Sequence, residues 1–169
     1  MKTFGGPAMF LDRSDINTDE IIPAKYLTEN SKQALKPFIL EDLKLPHFKS
    51  KIKNARVIVT RGNFGCGSSR EHAVWVFEVN DINVVIAESF ARIFRQNMFN
   101  CGMLAIELTR EEIDLIFALG DEVTISVDLD KNSLTAWGKE EIHFDFTLNS
   151  FDRDLVIAGG WLAYADKNY

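Results

Sequence analysis

Apolar positions along the chain follow two rhythms. Continuous apolar or β-branched runs at 8–13, 55–60, 82–87 and 104–108 have the length of buried strands. Helical-period stretches separate the last three. One runs from a glycine-rich turn at 62–67 to about Val79. The next runs to about Phe99, with Ser89 as candidate cap and Gly102 as stop. Thr109 and Glu112 have capping-box spacing and predict a third helix to Leu119, closed by Gly120. From there the period becomes two, over 122–129, 133–138 and 141–147, and Ile142, Phe144 and Phe146 share one face. A last helix is expected from Asn149 or Ser150 to Gly159-Gly160.

The first third of the chain is less regular. Residues 14–19 are dense in turn and cap formers. Residues 20–27 are interrupted by Pro23 and read as a loop or edge segment. Pro37 and Pro46 bracket one expected short helix over 38–43, with Pro37 in its first turn. The rest of 28–53 is either a binding loop or an ordinary surface connection. Strand–helix repeats followed by a β-rich part define one mixed α/β domain, without an internal repeat or low-complexity linker.

Composition narrows the classes. The 169 residues are 46% hydrophobic and 26% charged, the profile of a globular domain with a sizeable core. A formal net charge of −6 with no long basic run argues against a general nucleic-acid binder. No apolar stretch approaches the length of a membrane span. The first residues lack the apolar core of a signal peptide, so the expected compartment is the cytoplasm. Two cysteines, Cys66 and Cys101, cannot by themselves hold an iron–sulfur cluster or a four-cysteine zinc site. Cys101 reads as a buried small apolar residue, and Cys66 as one small enough for the glycine turn.

The densest candidate chemistry is Gly62-Asn63-Phe64-Gly65-Cys66-Gly67-Ser68-Ser69-Arg70-Glu71-His72-Ala73. Glycines allow a sharp turn and close approach to a ligand. The two serines fall where a helix is expected to begin, and a helix start attracts anions. Either one serine is a cap, or one is a nucleophile or base that needs an activating environment. Arg70 suits a carboxylate held by a forked pair of hydrogen bonds. The stretch is not a serine-hydrolase elbow, and it lacks the third glycine of a dinucleotide loop and the lysine of a P-loop. Asp15, Asp19 and Glu20 are turn and cap residues, or else Asp19 takes part in proton transfer. Arg92 and Arg95 share a helix face and either add charge to a pocket or pair with surface carboxylates. His47, His72 and His143 read as structural.

Three motifs occur in series: Asp15-Ile16-Asn17-Thr18-Asp19-Glu20-Ile21-Ile22-Pro23, the Gly65–Ala73 stretch, and Ser89-Phe90-Ala91-Arg92-Ile93-Phe94. Together they resemble the aconitase swivel-domain family, and within it the small subunits of isopropylmalate isomerases. The resemblance implies a single swivelling β/β/α domain over 1–169, active only with a large subunit. That partner carries a 4Fe-4S cluster on three cysteines, so no metal is expected on this chain. It implies isomerisation of a small 2-hydroxy dicarboxylate by dehydration and rehydration, as in leucine biosynthesis. Ser68 matches the family's base and Asp19 its active-site aspartate. Ser69 and Arg70 match binders of substrate carboxylate. Tyr26, Leu27 and Thr28, in a recognition loop around 26–36, match positions that contribute to substrate choice. Homoaconitase-type chains resemble Tyr-Leu-Arg-Thr there. Tyr26-Leu27-Thr28-Glu29 lacks that arginine, which favours a substrate with an apolar branch over homoaconitate. Homoaconitase, citraconate/methylmalate or dimethylmalate hydro-lyases and a non-catalytic anion-binding module are the other readings.

Overall fold

A computed structural model of the chain describes residues 2–169. The apolar runs form β1 (Gly5–Leu11), β2 (Val57–Thr60), β3 (Val84–Ala87) and β4 (Leu104–Glu107). They lie parallel in the order β4-β3-β2-β1. Every residue of β2 and β3 is buried. Parallel strands covered on both faces require such unbroken apolar runs.

β1 joins two half-sheets. Residues 8–11 pair with β2 in parallel, and residues 5–7 pair antiparallel with β5 (Thr124–Asp128). A meander continues through β6 (Ser133–Trp137) and β7 (Glu141–Asp145). The result is one seven-stranded sheet. Phe144 and Phe146 are buried and Ile142 packs beside them, as the period of two predicts.

Short helical turns α1 (Thr18–Ile21) and α2 (Lys32–Leu35) occupy the long connection from β1 to β2. α3 (His72–Val79) and α4 (Arg92–Asn100) link the parallel strands, and α5 (Arg110–Phe117) leads into the meander. α6 (Ser150–Ala158) and α7 (Trp161–Asn168) close the chain. α5 has the predicted box: Glu112 N–H donates to Thr109 Oγ1 at 3.2 Å, and Thr109 N–H to Glu112 Oε1 at 3.0 Å. Asn17 and Glu20 form a second box on α1 that the sequence reading missed.

Several expectations are corrected. Residues 38–43 form no helix. The helical turns lie earlier, at Lys32–Leu35 and, as a 3-10 turn, at Lys36–Phe38. The backbone leaves the helical region at Ile39 (ψ 128°), and Leu40 (φ 55°) turns its N–H to Ile21 O at 2.8 Å. The helix after the glycine turn starts at His72, three residues beyond Ser69, so neither serine caps it. α4 starts at Arg92 with no side-chain cap, and Ser89 serves elsewhere. α7 extends helical structure past Gly160. Among the described residues, no helix is long and apolar enough to cross a membrane.

One surface network ties three segments together. Glu78 on α3 accepts from Lys2 and Lys32, each at 2.8 Å. Burial alone would raise its carboxyl, but the two lysines outweigh burial and hold it below its ordinary 4.5. A carboxyl depressed in the folded state stabilises above its unfolded value, and that contribution is lost as pH falls through the folded one. Stability to urea is therefore expected to decline below about pH 4.5, and Glu78→Gln should shrink this decline. An unchanged pH profile in the variant would count against the network.

Candidate active site

The carboxyl ends of β1, β2 and β3 carry the loops at 12–17, 61–71 and 88–91. The crevice outside such strand ends is where open α/β sheets bind ligands. Main-chain hydrogen bonds hold these loops together. On one side Gly65 N–H donates to Ile16 O (2.8 Å), Thr18 N–H to Cys66 O (2.9 Å) and Asp15 N–H to Gly62 O (2.9 Å). On the other, Phe64 N–H donates to Ser89 O (3.1 Å) and Ala91 N–H to Phe64 O (2.9 Å). Side chains add to this: Ser89 Oγ accepts from Asn63 N–H at 2.8 Å, and Ser14 Oγ from Gly62 N–H at 3.1 Å. Residues 62–66 thus form a rib between two neighbouring loops.

Phe64 anchors the rib. Its ring is 1% exposed and lies against Phe77, Phe90 and Phe94, with centroids at 5.4–6.4 Å. Gly65, at φ 80°, follows directly. A Cβ there would stand 2.2 Å from Phe94 Cγ, so only glycine fits both the backbone and the space. Arg61, which precedes the rib, ties the loops after β1 and β3 to α5. It contacts Asp12 (2.7 Å), Asp114 (2.6 Å) and Glu88 (3.7 Å), and its guanidinium lies 4.6 Å from the centre of the Phe117 ring.

A cavity of about 260 Å³ opens where the rib meets α4. Thr18, Ser68, Ser69 and Arg70 form its polar wall, and Ala91, Ile93 and Phe94 its apolar wall. Arg92 also lines it and has no carboxylate partner among the described residues. The first turn of α4 lines the cavity and has no side-chain cap, whereas no residue of α3 lines it. Asp19 reaches this wall through an ion pair with Arg70. A larger cleft, about 940 Å³, lies at the amino ends of the parallel strands beside Lys2, Arg56 and Asn83. It contains none of the predicted site residues, and its size does not outweigh that.

The structure therefore brings together Asp19, Ser68, Ser69 and Arg70. Tyr26, Leu27 and Thr28 do not line the cavity. Tyr26 OH donates to Glu41 (2.9 and 3.1 Å) and its ring stacks on Phe38 at 4.0 Å. The 26–36 loop packs instead along the helix that follows the rib: Glu29 O meets His72 Nε2 at 3.3 Å, Lys32 pairs with Glu78 at 2.8 Å, and Lys36 O accepts from Asn80 Nδ2 at 3.2 Å. Arg95 parts from Arg92, turning to Asp152 (3.4 Å) and the Phe99 ring (4.8 Å). Thr18 is the cavity residue that sequence reasoning missed; its partner is fifty residues away along the chain. No histidine lines the cavity.

Neither thiol is activated. Burial, then the Asp15 carboxylate, pushes Cys66 up. Burial, then Glu78 and Glu71, pushes Cys101 up to about 12. Among the described residues, no group of three histidine, cysteine, aspartate or glutamate side chains is placed to hold a metal ion. With two cysteines the chain is one short of a three-cysteine cluster attachment.

A four-stranded parallel half with a glycine rib at its carboxyl edge, continued by an antiparallel meander, defines a mixed α/β domain of the aconitase C-terminal type. The family model for that domain matches residues 12–111. Similar chains narrow this further. The 3-isopropylmalate dehydratase small subunit of Deinococcus deserti is 40% identical over 152 residues, covering 90% of this chain and 81% of that one. The corresponding subunit of Aliarcobacter butzleri is 38% identical, covering 90% of this chain and 88% of that one. A crystal structure of 3-isopropylmalate dehydratase from Methanocaldococcus jannaschii superposes with a TM-score of 0.83 at 34% identity, covering 97% of this chain and 93% of that one. The chain belongs to the 3-isopropylmalate dehydratase small-subunit family.

Gly65→Ala tests the rib. Left-handed strain and the clash with Phe94 together should cost about 2–4 kcal/mol, read as a lower urea midpoint with unchanged slope. A midpoint equal to that of the parent would refute the close-approach requirement.

Proposed function

We propose that this chain is the small subunit of a cytoplasmic hydro-lyase that interconverts 2-isopropylmalate and 3-isopropylmalate in leucine biosynthesis. It works with a separate large subunit that carries the 4Fe-4S cluster. The observation that carries this reading is the cavity's division. Hydroxyls and Arg70 form one wall, and Ala91, Ile93 and Phe94 the other. A dicarboxylate with an isopropyl branch needs both. The names of the relatives at 38–40% identity point the same way.

When bound on the large subunit, the cluster supplies a Lewis acid for the substrate's oxygen atoms. This chain supplies the rest of the reaction. Arg70 holds a substrate carboxylate through its forked donors, with Ser69 beside it. Ser68 Oγ takes the proton from the carbon next to a carboxylate, and hydroxide leaves the neighbouring carbon. Adding one water back as a proton and a hydroxide, with their two carbons exchanged, gives the isomer. Ser68 is exposed at the cavity and its hydroxyl has no hydrogen bond within the described residues, so it is unobstructed. Arg70 and the uncapped end of α4 provide positive potential for its deprotonated form. Asp19, paired with Arg70, orients the guanidinium and relays protons at the cavity mouth. The 26–36 loop is assigned to substrate choice in the assembled enzyme.

Ser68→Ala should lower kcat by about a thousandfold, within the range for losing a general base, while the two subunits still co-elute. Turnover within about tenfold of the parent would remove Ser68 as the base.

A further inference from the structure

Ser68 has one hydrogen-bonded group, its carbonyl, and one donor to it. Thr18 Oγ1 donates to Ser68 O at 2.9 Å. Thr18 is 2% exposed, and its own N–H donates to Cys66 O at 2.9 Å. One residue therefore grips the serine loop at two carbonyls on either side of Gly67. Gly67 sits at φ 91°, where the chain changes direction before delivering Ser68. Space alone does not require glycine there: a Cβ on Gly67 would make ordinary contact with Asn17 Cβ (3.5 Å) and Thr18 Oγ1 (3.7 Å), and it is the positive φ that favours glycine.

The next residue repeats the reach. Asp19 pairs with Arg70, so residues 18 and 19 hold residues 68 and 70 respectively. The turn carrying both is fixed by the Asn17–Glu20 box, and Glu20 is in turn paired with Arg13. A serine whose hydroxyl makes no bond has its Cβ, and so the few staggered positions open to its Oγ, placed by its backbone. Those positions are then set by whatever fixes that backbone.

We infer that Thr18 is a positioning residue for the reaction: its buried hydroxyl fixes the Ser68 carbonyl and thereby aims Ser68 Oγ at the substrate carbon. Although Thr18 lines the cavity, it is 2% exposed and its hydroxyl hydrogen is committed to Ser68 O, so it holds no donor free for the substrate. Its loss should therefore act on turnover more than on affinity. This rests on the assignment of Ser68 as the base.

The test uses the assembled two-subunit enzyme with 2-isopropylmalate as substrate. Thr18→Val keeps the shape and removes the donor, and Thr18→Ser keeps the donor and removes a methyl. Misaiming a reacting group by an ångström costs up to about a hundredfold. Thr18→Val is therefore expected to lose about 10- to 100-fold in kcat with KM changed less than about threefold. Thr18→Ser is expected to recover most of kcat. Amide exchange of residues 66–70 should accelerate in Thr18→Val and not in Thr18→Ser, whether or not the subunits assemble. A parental kcat in Thr18→Val overturns the inference, and so does equal impairment in both variants, which would mark a packing role. Ser68→Ala in the same assay separates the two levels. An active Ser68→Ala overturns the base assignment and this inference with it. An inactive Ser68→Ala beside a fully active Thr18→Val overturns this inference alone.

Discussion

The backbone rib at 62–66 is the constraint on which the candidate site depends. Loops after β1, β2 and β3 have no periodic core of their own. Their main-chain groups pair with one another, so the parallel sheet in effect continues past its last strand residues. Phe64 pins the rib into the core, and Gly65 lets it pass over Phe94. Breaking the rib would release Ser68, Ser69 and Arg70 together, because all three leave from its end. The rest of the domain, including the meander, can be read as scaffolding for that edge.

Charge at this edge runs against the charge of the whole molecule. The chain carries a formal −6, yet the cavity presents Arg70, Arg92 and an uncapped helix start. Such local potential attracts a dianion to one spot on a protein that otherwise repels it. Asp19 already engages Arg70, so an incoming carboxylate either displaces that partner or shares the guanidinium with it. In the proposed enzyme this keeps the arginine oriented before substrate arrives. In that proposal the polar and apolar linings share substrate recognition, and the Lewis acid sits on another chain.

The parallel strands were legible because burial on both faces demands unbroken apolar runs, and the meander because half-burial demands alternation. The glycine stretch was legible through its composition. Helix starts were not. Ser68, Ser69 and Ser89 look like caps locally, but tertiary partners claim their loops first: Ser89 takes Asn63 N–H and Ser68 takes Thr18. The 32–43 region misled because Pro37 does sit in the first turn of a helical segment, but that segment is a 3-10 turn that ends at Phe38. α7 went unseen because two glycines look like an end, and its apolar residues Trp161 and Leu162 remain exposed. Thr18 has no local signal at all, since a contact across fifty positions leaves no period in the sequence. Assigning Ser68 and Asp19 their roles needed the resemblance; composition and spacing reached only an anion site with a hydroxyl.

The central claim is that the chemistry is divided between two chains, with this one supplying the base and the carboxylate grip. The most direct measurement titrates this chain into a fixed amount of cluster-loaded large subunit and follows conversion of 2-isopropylmalate. Each chain alone should be inactive, and the rate should rise to a plateau at equimolar mixing. Turnover by either chain alone at the rate of the mixture would contradict it.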